Sequence, residues 1–236
     1  MLTANFMDAR FNTSPLPFAP SPPEFDDFIE GENRQILMAA RALDDNDAPS
    51  PSLYVWGGGG KTHLLRMIVA MARPHRAAFY VSAEQAIPPP VPGLLAADDI
   101  DNMSEEKRLS LMDWQNKISP GGSYRILAAG NSPPEDVGLG EEIAARLSAG
   151  LVFRLRDISE EEKKRALSGY ARRRGFVLPD EVIDLFLTRL PRDMTSLTAA
   201  LADLDGFLLP RQKPLTLSQA HQWLRGRSPA LFRTSD

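Results

Sequence analysis

Two short runs hold the residues that could do chemistry. The first is Tyr54-Val55-Trp56-Gly57-Gly58-Gly59-Gly60-Lys61-Thr62-His63, an apolar stretch that passes through glycines to a lysine and a hydroxyl. Glycines let backbone N–H groups approach phosphate oxygens, and a helix starting there favours negative charge at its N-terminus. In such a phosphate loop Lys61 reaches the outer phosphates and Thr62 ligates Mg²⁺. The usual spacing sets a glycine, four residues, then Gly-Lys-Thr. Counting back from Gly60, the first glycine position falls on Val55. If Gly57 takes that role, the loop is about two residues shorter than the usual pattern and offers fewer amides. Nucleotide binding and its absence both stay open on this spacing.

The second run is Leu94-Leu95-Ala96-Ala97-Asp98-Asp99. An apolar strand here delivers carboxylates to its C-terminal end, the edge where open α/β sheets bind ligands. Asp98 suits the water shell of Mg²⁺, and Asp99 suits polarising an attacking water. A plain polar strand exit accounts for one such acid more easily than for a pair.

Positioning these runs requires a sheet. Short apolar runs at Ser52–Trp56, Ala77–Ser82, Leu94–Ala97, Arg125–Ala129 and Leu151–Leu155 read as buried strands. Helices are expected over Asn33–Leu43, Thr62–Ala72 and Ser104–Lys117, with Ser104 as the N-cap. Strands alternating with helices imply a parallel sheet covered on both faces. Asp44 to Pro51 is a polar linker, and Pro88, Pro89, Pro90 and Pro92 force an extended loop. After Asp157 the pattern turns all-helical. Ser159 caps a helix with an acidic first turn, Glu160 to Glu162, which stops at Gly175. Further helices start at Pro179 and cover Asp193–Leu208 and Ser218–Arg225. The expected organisation is a Pro-rich arm over 1–23, an α/β nucleotide-binding domain over 24–157, a small all-helical domain over 158–227 and a tail over 228–236.

Composition bounds the rest. The 236 residues are 43% hydrophobic and 25% charged, enough for a substantial core, with a net charge of -4. Residues 1–158 hold 14 Lys/Arg against 21 Asp/Glu, and residues 159–236 hold 13 against 10. Neither part has the basic charge of a dedicated duplex-DNA binder. The absence of cysteine excludes disulfides and thiolate-ligated zinc and fits a reducing compartment. His63, His75 and His221 are too dispersed for a histidine metal site. No apolar run is long enough to span a bilayer.

The chain resembles the DnaA family of AAA+ proteins, with motifs in the same order over about residues 25–225. Phe25 to Asn33 is similar to the segment framing the adenine pocket, and Gly60-Lys61-Thr62-His63-Leu64-Leu65 to the loop exit. Phe79 to Glu84 resembles the second strand, and Asp98-Asp99-Ile100 the Walker B segment. Ala129 to Pro134 resembles sensor 1, Ile143-Ala144-Ala145-Arg146-Leu147 the arginine-finger box, and Leu190 to Met194 sensor 2. Within the family it is most similar to the Hda branch, regulators that promote hydrolysis of DnaA-bound ATP. Arg172-Arg173-Arg174-Gly175-Phe176-Val177-Leu178-Pro179 resembles the Hda lid. The sequence stops after that lid, where DnaA carries a duplex-binding domain.

This resemblance implies an AAA+ core with a five-stranded parallel sheet and a helical lid. It also implies ADP or ATP with Mg²⁺ as ligands. Ile29 is expected at adenine; Gly57, Gly58, Gly59, Gly60, Lys61, Thr62 and His63 at phosphate; Thr62 and Asp98 at the metal. Asp99 and Asn131 would serve hydrolysis, the latter as the sensor 1 polar group. Arg146 would be a finger directed in trans at a DnaA protomer, and Arg192 would be sensor 2. Simpler readings make Arg146 a helix-end residue paired with Glu141 or Glu142, and Arg192 a surface loop residue.

Hda relatives also bind the polymerase sliding clamp through a motif beginning with Gln. Here Thr13 to Phe18, ending Leu16-Pro17-Phe18, and Ser228 to Phe232, ending Leu231-Phe232, match its apolar end and lack the Gln. The short Ala86–Leu94 segment leaves no room for the helices with which DnaA grips single strands. The leading expectation is a cytoplasmic, nucleoid-associated bacterial regulator of replication initiation. It would act on DnaA, be at most a weak ATPase itself, and be capable of self-assembly. One alternative is a nucleotide-independent adaptor recruiting DnaA, helicase or clamp. The other is a helicase-loader-type ATPase.

Overall fold

A computed structural model describes residues 29–43, 48–208 and 215–226. Residues 1–28, with the arm over 1–23, the first half of the polar linker at 44–47, residues 209–214 and residues 227–236, with the tail over 228–236, lie outside the described residues, as do both clamp-type motifs.

The chain begins with a 3-10 turn, Gly31–Asn33, leading into α1 (Arg34–Ala42). There follow β1 (Ser52–Gly57), α2 (Lys61–Ala72), β2 (Ala77–Val81), β3 (Gly93–Ala97), α3 (Glu105–Gln115), β4 (Tyr124–Gly130), α4 (Glu141–Ser148) and β5 (Leu151–Leu155). The five strands form one parallel sheet in the order β2-β3-β4-β1-β5. Expected and observed ends agree to within a residue or two. Helix α4 carries the Ile143–Leu147 box.

Side chains alternate across the sheet with period two, so β1 to β4 each feed two cores, while β5 turns Leu151, Phe153 and Leu155 to one of them and Val152 and Arg154 to solvent. On β4, Leu127 and Ala129 pack with Leu64, Leu65 and Ile68 of α2 and Ile36 and Leu37 of α1. Ile126 and Ala128 face the other way, toward Leu111 and Trp114 of α3 and Ile143 and Leu147 of α4. Trp114 is fully buried and its Nε1 donates to the Pro88 carbonyl at 2.7 Å, which ties down the proline-rich loop before β3.

The remaining elements are α5 (Glu160–Arg173), α6 (Asp180–Arg189), α7 (Met194–Leu208) and α8 (Leu217–Arg225). They close around a separate core of Leu167, Phe186, Leu197, Leu201, Leu204 and Trp223. Ser159 caps α5 as expected. Its Oγ accepts from the Glu162 N–H at 3.3 Å, and the Glu162 carboxylate accepts from the Ser159 N–H at 2.7 Å. Arg174, beyond α5, pairs with Asp205 at 3.0 Å. Among the described residues no helix is long and apolar enough to cross a membrane.

Candidate functional site at the C-terminal edge of the sheet

Four neighbouring strands, β3-β4-β1-β5, deliver their C-terminal ends side by side. From β1 come Gly57 and the glycine loop, from β3 Asp98 and Asp99, from β4 Asn131, and from β5 the segment Arg156–Asp157. A parallel sheet makes this unavoidable, because every strand points the same way.

The glycine loop is a tight strand-to-helix turn. Gly60 is the N-cap of α2 with φ 101°, a left-handed conformation that would cost an ordinary L-residue about 1–2 kcal/mol. The Gly58 N–H donates to the Leu155 carbonyl at 2.8 Å, and the Gly59 N–H donates to Asp157 Oδ1 at 2.7 Å. Lys61 folds back, its Nζ donating to the Gly57 carbonyl at 2.8 Å. Thr62 and His63 are half-buried in the first turn of α2. The glycine turn thus leads directly into α2, with two of its amides and the Lys61 ammonium group engaged by the chain itself.

Asp98 is buried, with Oδ2 accepting from the Tyr80 hydroxyl at 2.9 Å and Oδ1 from the Asp99 N–H at 3.1 Å. Burial, then the Asp98 charge, push the Tyr80 phenol up to about 12. Asp99 has φ 51°, the one non-glycine residue with positive φ among the described residues. Such strain concentrates where geometry serves a site. Burial raises the Asp99 carboxyl above its usual range, Asp98 adds to this, and Lys61 opposes it. Asp99 is thus more basic than an ordinary aspartate, chiefly through burial and the neighbouring Asp98 charge. Among the described residues no group of three acidic or histidine side chains is placed to hold a metal ion. Thr62 and Asp98 are the donors suited to Mg²⁺, and both Asp98 oxygens already accept hydrogen bonds.

Asp101 is a site residue the sequence reading missed. Its Oδ2 accepts from the Asn131 N–H at 2.8 Å, and its charge adds to the rise of Asp99. The signal was there, in an acidic run Asp98-Asp99-Ile100-Asp101 that continues past the pair. Asn131 is exposed and tied at its main chain. Tyr54 braces the same strand end, its hydroxyl donating to the Ser132 carbonyl at 2.6 Å.

The other expected residues lie further out. Ile29 is half-buried at the start of the described chain. Arg192 lies between α6 and α7, 4.0 Å from Glu160 at the start of α5. Arg146 is near the end of α4, which runs down to the N-terminal start of β5 and so away from the edge holding Lys61. Its Nη2 pairs with Glu142 at 2.9 Å, the simpler pairing anticipated above, with the side chain about a third exposed. The structure therefore groups Gly57–Thr62, Asp98, Asp99 and Asn131 and leaves Arg146 outside that group.

A parallel sheet of this order, with a glycine loop after β1 and paired acids after β3, has counterparts among solved structures. The fold matches domain III of the replication initiation protein DnaA from Thermotoga maritima with a TM-score of 0.68 and 20% identity, over 89% of this chain and 98% of that one. It also matches AMPPCP-bound DnaA from Aquifex aeolicus, at 0.60 and 16% over 89% and 70% of the two chains. The Thermotoga maritima RuvB Holliday junction branch migration motor matches at 0.62 and 16%, over 87% and 72%. Residues 160–224 match the family model of the Hda lid domain. The chain therefore has the fold of DnaA domain III, with an α/β core of five parallel strands, and its residues 160–224 belong to the Hda lid type.

Proposed function

We propose that this chain is an Hda-like regulator of replication initiation that engages DnaA and promotes hydrolysis of DnaA-bound ATP through Arg146. The observation that carries the reading is the Hda lid match over 160–224 joined to a core shaped like DnaA domain III. The place of Arg146 supports a role in trans. It is remote from this chain's own glycine loop, partly exposed and, among the described residues, held by a one-turn ion pair with Glu142. Exposed pairs of that kind are worth about 0.3–0.5 kcal/mol, so a partner's phosphate could displace Glu142 readily. An arginine finger supplies on the order of 10³–10⁵ in rate in well-studied systems. Arg146→Ala is expected to abolish stimulation of DnaA ATP hydrolysis with an unchanged circular dichroism spectrum. Full stimulation by the variant overturns the assignment.

In this reading the chain's own edge binds ADP or ATP, as the AMPPCP complexes of the DnaA neighbours suggest. Gly57–Gly60, Lys61 and Thr62 would hold phosphate, with Ile29 and His63 flanking. Arg192 would close from the lid, and Thr62 and Asp98 would hold Mg²⁺. Asp99 and Asn131 would face the γ-phosphate. The domain limits, a cytoplasmic location, clamp binding through either terminal motif and self-association belong to the same proposal.

A second reading, a nucleotide-independent adaptor, is favoured by one observation: the short loop has its Gly58 and Gly59 amides and Lys61 bonded within the chain. Calorimetric titration separates the two. Tight ADP binding favours the regulator, and none at millimolar nucleotide favours the adaptor.

A further inference from the structure

We infer that Asp157 is an internal occupant of the phosphate loop, a carboxylate that holds the Gly59 amide until a nucleotide phosphate displaces it. This rests on the reading of the glycine loop as a nucleotide site and names how that site is regulated.

The contact joins residues 98 positions apart, with Gly59 N–H donating to Asp157 Oδ1 at 2.7 Å. A carboxylate oxygen on a backbone amide at the start of a helix is an anion in the place where a phosphate oxygen binds. Asp157 approaches the loop by more than this one bond. A methyl group on Gly58 would fall 2.8 Å from the Asp157 nitrogen and 2.9 Å from its Oδ1, so the two segments are in direct contact. Only a glycine at 58 permits that approach. With Gly58 N–H bonded to Leu155, the Gly59 amide is the donor a phosphate would contest. A carboxylate and a phosphate carry the same charge and cannot share it. In a loop short of amides, one donor withheld is a large share of the binding set.

Asp157 also sits where displacement has consequences. Its neighbour Arg156 is held to the segment before the loop by Asn33 at both main-chain groups and by Glu32 at 2.6 Å. Three residues after Asp157 the lid helix α5 begins, and Glu162 of its capping box lies against Gly31. The linker into the lid is therefore bonded to the phosphate loop and to the segment preceding it. Moving Asp157 off Gly59 releases a side-chain contact between linker and loop. By linkage, whatever factor the contact costs nucleotide is the factor by which nucleotide loosens the contact.

The test titrates the full chain with ADP by calorimetry at low salt, comparing wild type with Asp157→Ala, Asp157→Asn and Lys61→Ala. Asp157→Ala is expected to bind ADP at least tenfold more tightly than wild type. Asp157→Asn keeps an acceptor without the charge and should fall between the two, and Lys61→Ala should bind more weakly than wild type. The Gly59 amide resonance of ADP-free protein should move in Asp157→Ala. Equal or weaker ADP binding by Asp157→Ala, with wild type still binding, overturns the role of Asp157 and leaves the nucleotide site standing. No binding by any variant at millimolar ADP overturns both. The near-isosteric Asn variant keeps the comparison decisive if the Ala variant folds poorly.

Discussion

The side-chain amide of Asn33 spans both main-chain groups of Arg156, donating from Nδ2 to the carbonyl at 2.9 Å and accepting at Oδ1 from the N–H at 2.8 Å. Asn33 is 3% exposed, so its amide is committed to these two bonds. This single residue ties the chain ahead of α1 to the exit of β5, 123 positions later.

Truncating it leaves the Arg156 N–H and carbonyl without their side-chain partner. A typical hydrogen bond contributes about 0.5–1.5 kcal/mol, so losing both in Asn33→Ala should lower stability by about 1–3 kcal/mol. Asn33→Asp keeps the acceptor and loses the donor, and should fall between Ala and wild type. Urea unfolding monitored by circular dichroism reads both. A midpoint for Asn33→Ala equal to wild type would show that the linkage holds nothing.

The Tyr80–Asp98 pair makes a prediction at high pH. Tyr80 is pushed up to about 12 from 10.0 by burial and by the Asp98 carboxylate. A phenol raised in the folded state stays protonated while the unfolded chain ionises. Its contribution is present below about pH 10 and is lost as pH rises toward about 12. Asp98→Asn removes the charge and keeps an acceptor. Tyrosinate absorbance should then show Tyr80 titrating earlier than in wild type. An unshifted titration would mean that Asp98 has no electrostatic hold on Tyr80.

Much of this architecture is legible along the chain because it is local. Apolar runs bounded by Gly, Pro and acids mark the five strands, and the Gly60-Lys61-Thr62 and Asp98-Asp99 signals lie within single turns. Strand order is different, since β1 lying between β4 and β5 depends on packing across the sheet. The Asn33–Arg156 and Gly59–Asp157 contacts have no periodic signature at all. Asn33 could be placed before the loop and near adenine, but not on the main chain of Arg156. Asp157 reads as the last residue of the α/β domain, and only folding brings its carboxylate to Gly59. Arg146 shows the converse, since its pairing with Glu142 is a one-turn relation that spacing anticipates.

The lid should be separable from the sheet in its response to mutation. Trp223 is 1% exposed, stacks on Phe186 at a centroid distance of 5.5 Å, and donates from Nε1 to Asp203 at 2.9 Å. Trp223→Ala opens a cavity in a core built from α5 to α8 and should cost about 3–5 kcal/mol there. Hydrogen exchange is expected to show α5, α6, α7 and α8 losing protection while β1, β3 and β4 keep theirs. Uniform loss across sheet and lid would mean that the two cores unfold as one unit.

Acid should act on the same lid through Glu162. Hydrogen bonds from the Ser159 N–H and hydroxyl hold its carboxyl below the ordinary glutamate range. A carboxyl with a depressed folded pKa contributes stability at neutral pH. That contribution is lost as pH falls below the ordinary glutamate range and through the folded value. Glu162→Gln preserves the reciprocal capping geometry, since glutamine also serves at that position of the capping box, but it cannot titrate. The variant should be less stable than wild type at neutral pH, because a charged acceptor at a helix N-terminus is replaced by a neutral one. The gap should narrow as the solution is acidified, when wild-type Glu162 becomes neutral as well. Thermal melts of the two proteins from neutral to acid pH test this. Parallel profiles would place the pH dependence of α5 on Glu160 and Glu161 instead, the other acids of its first turn.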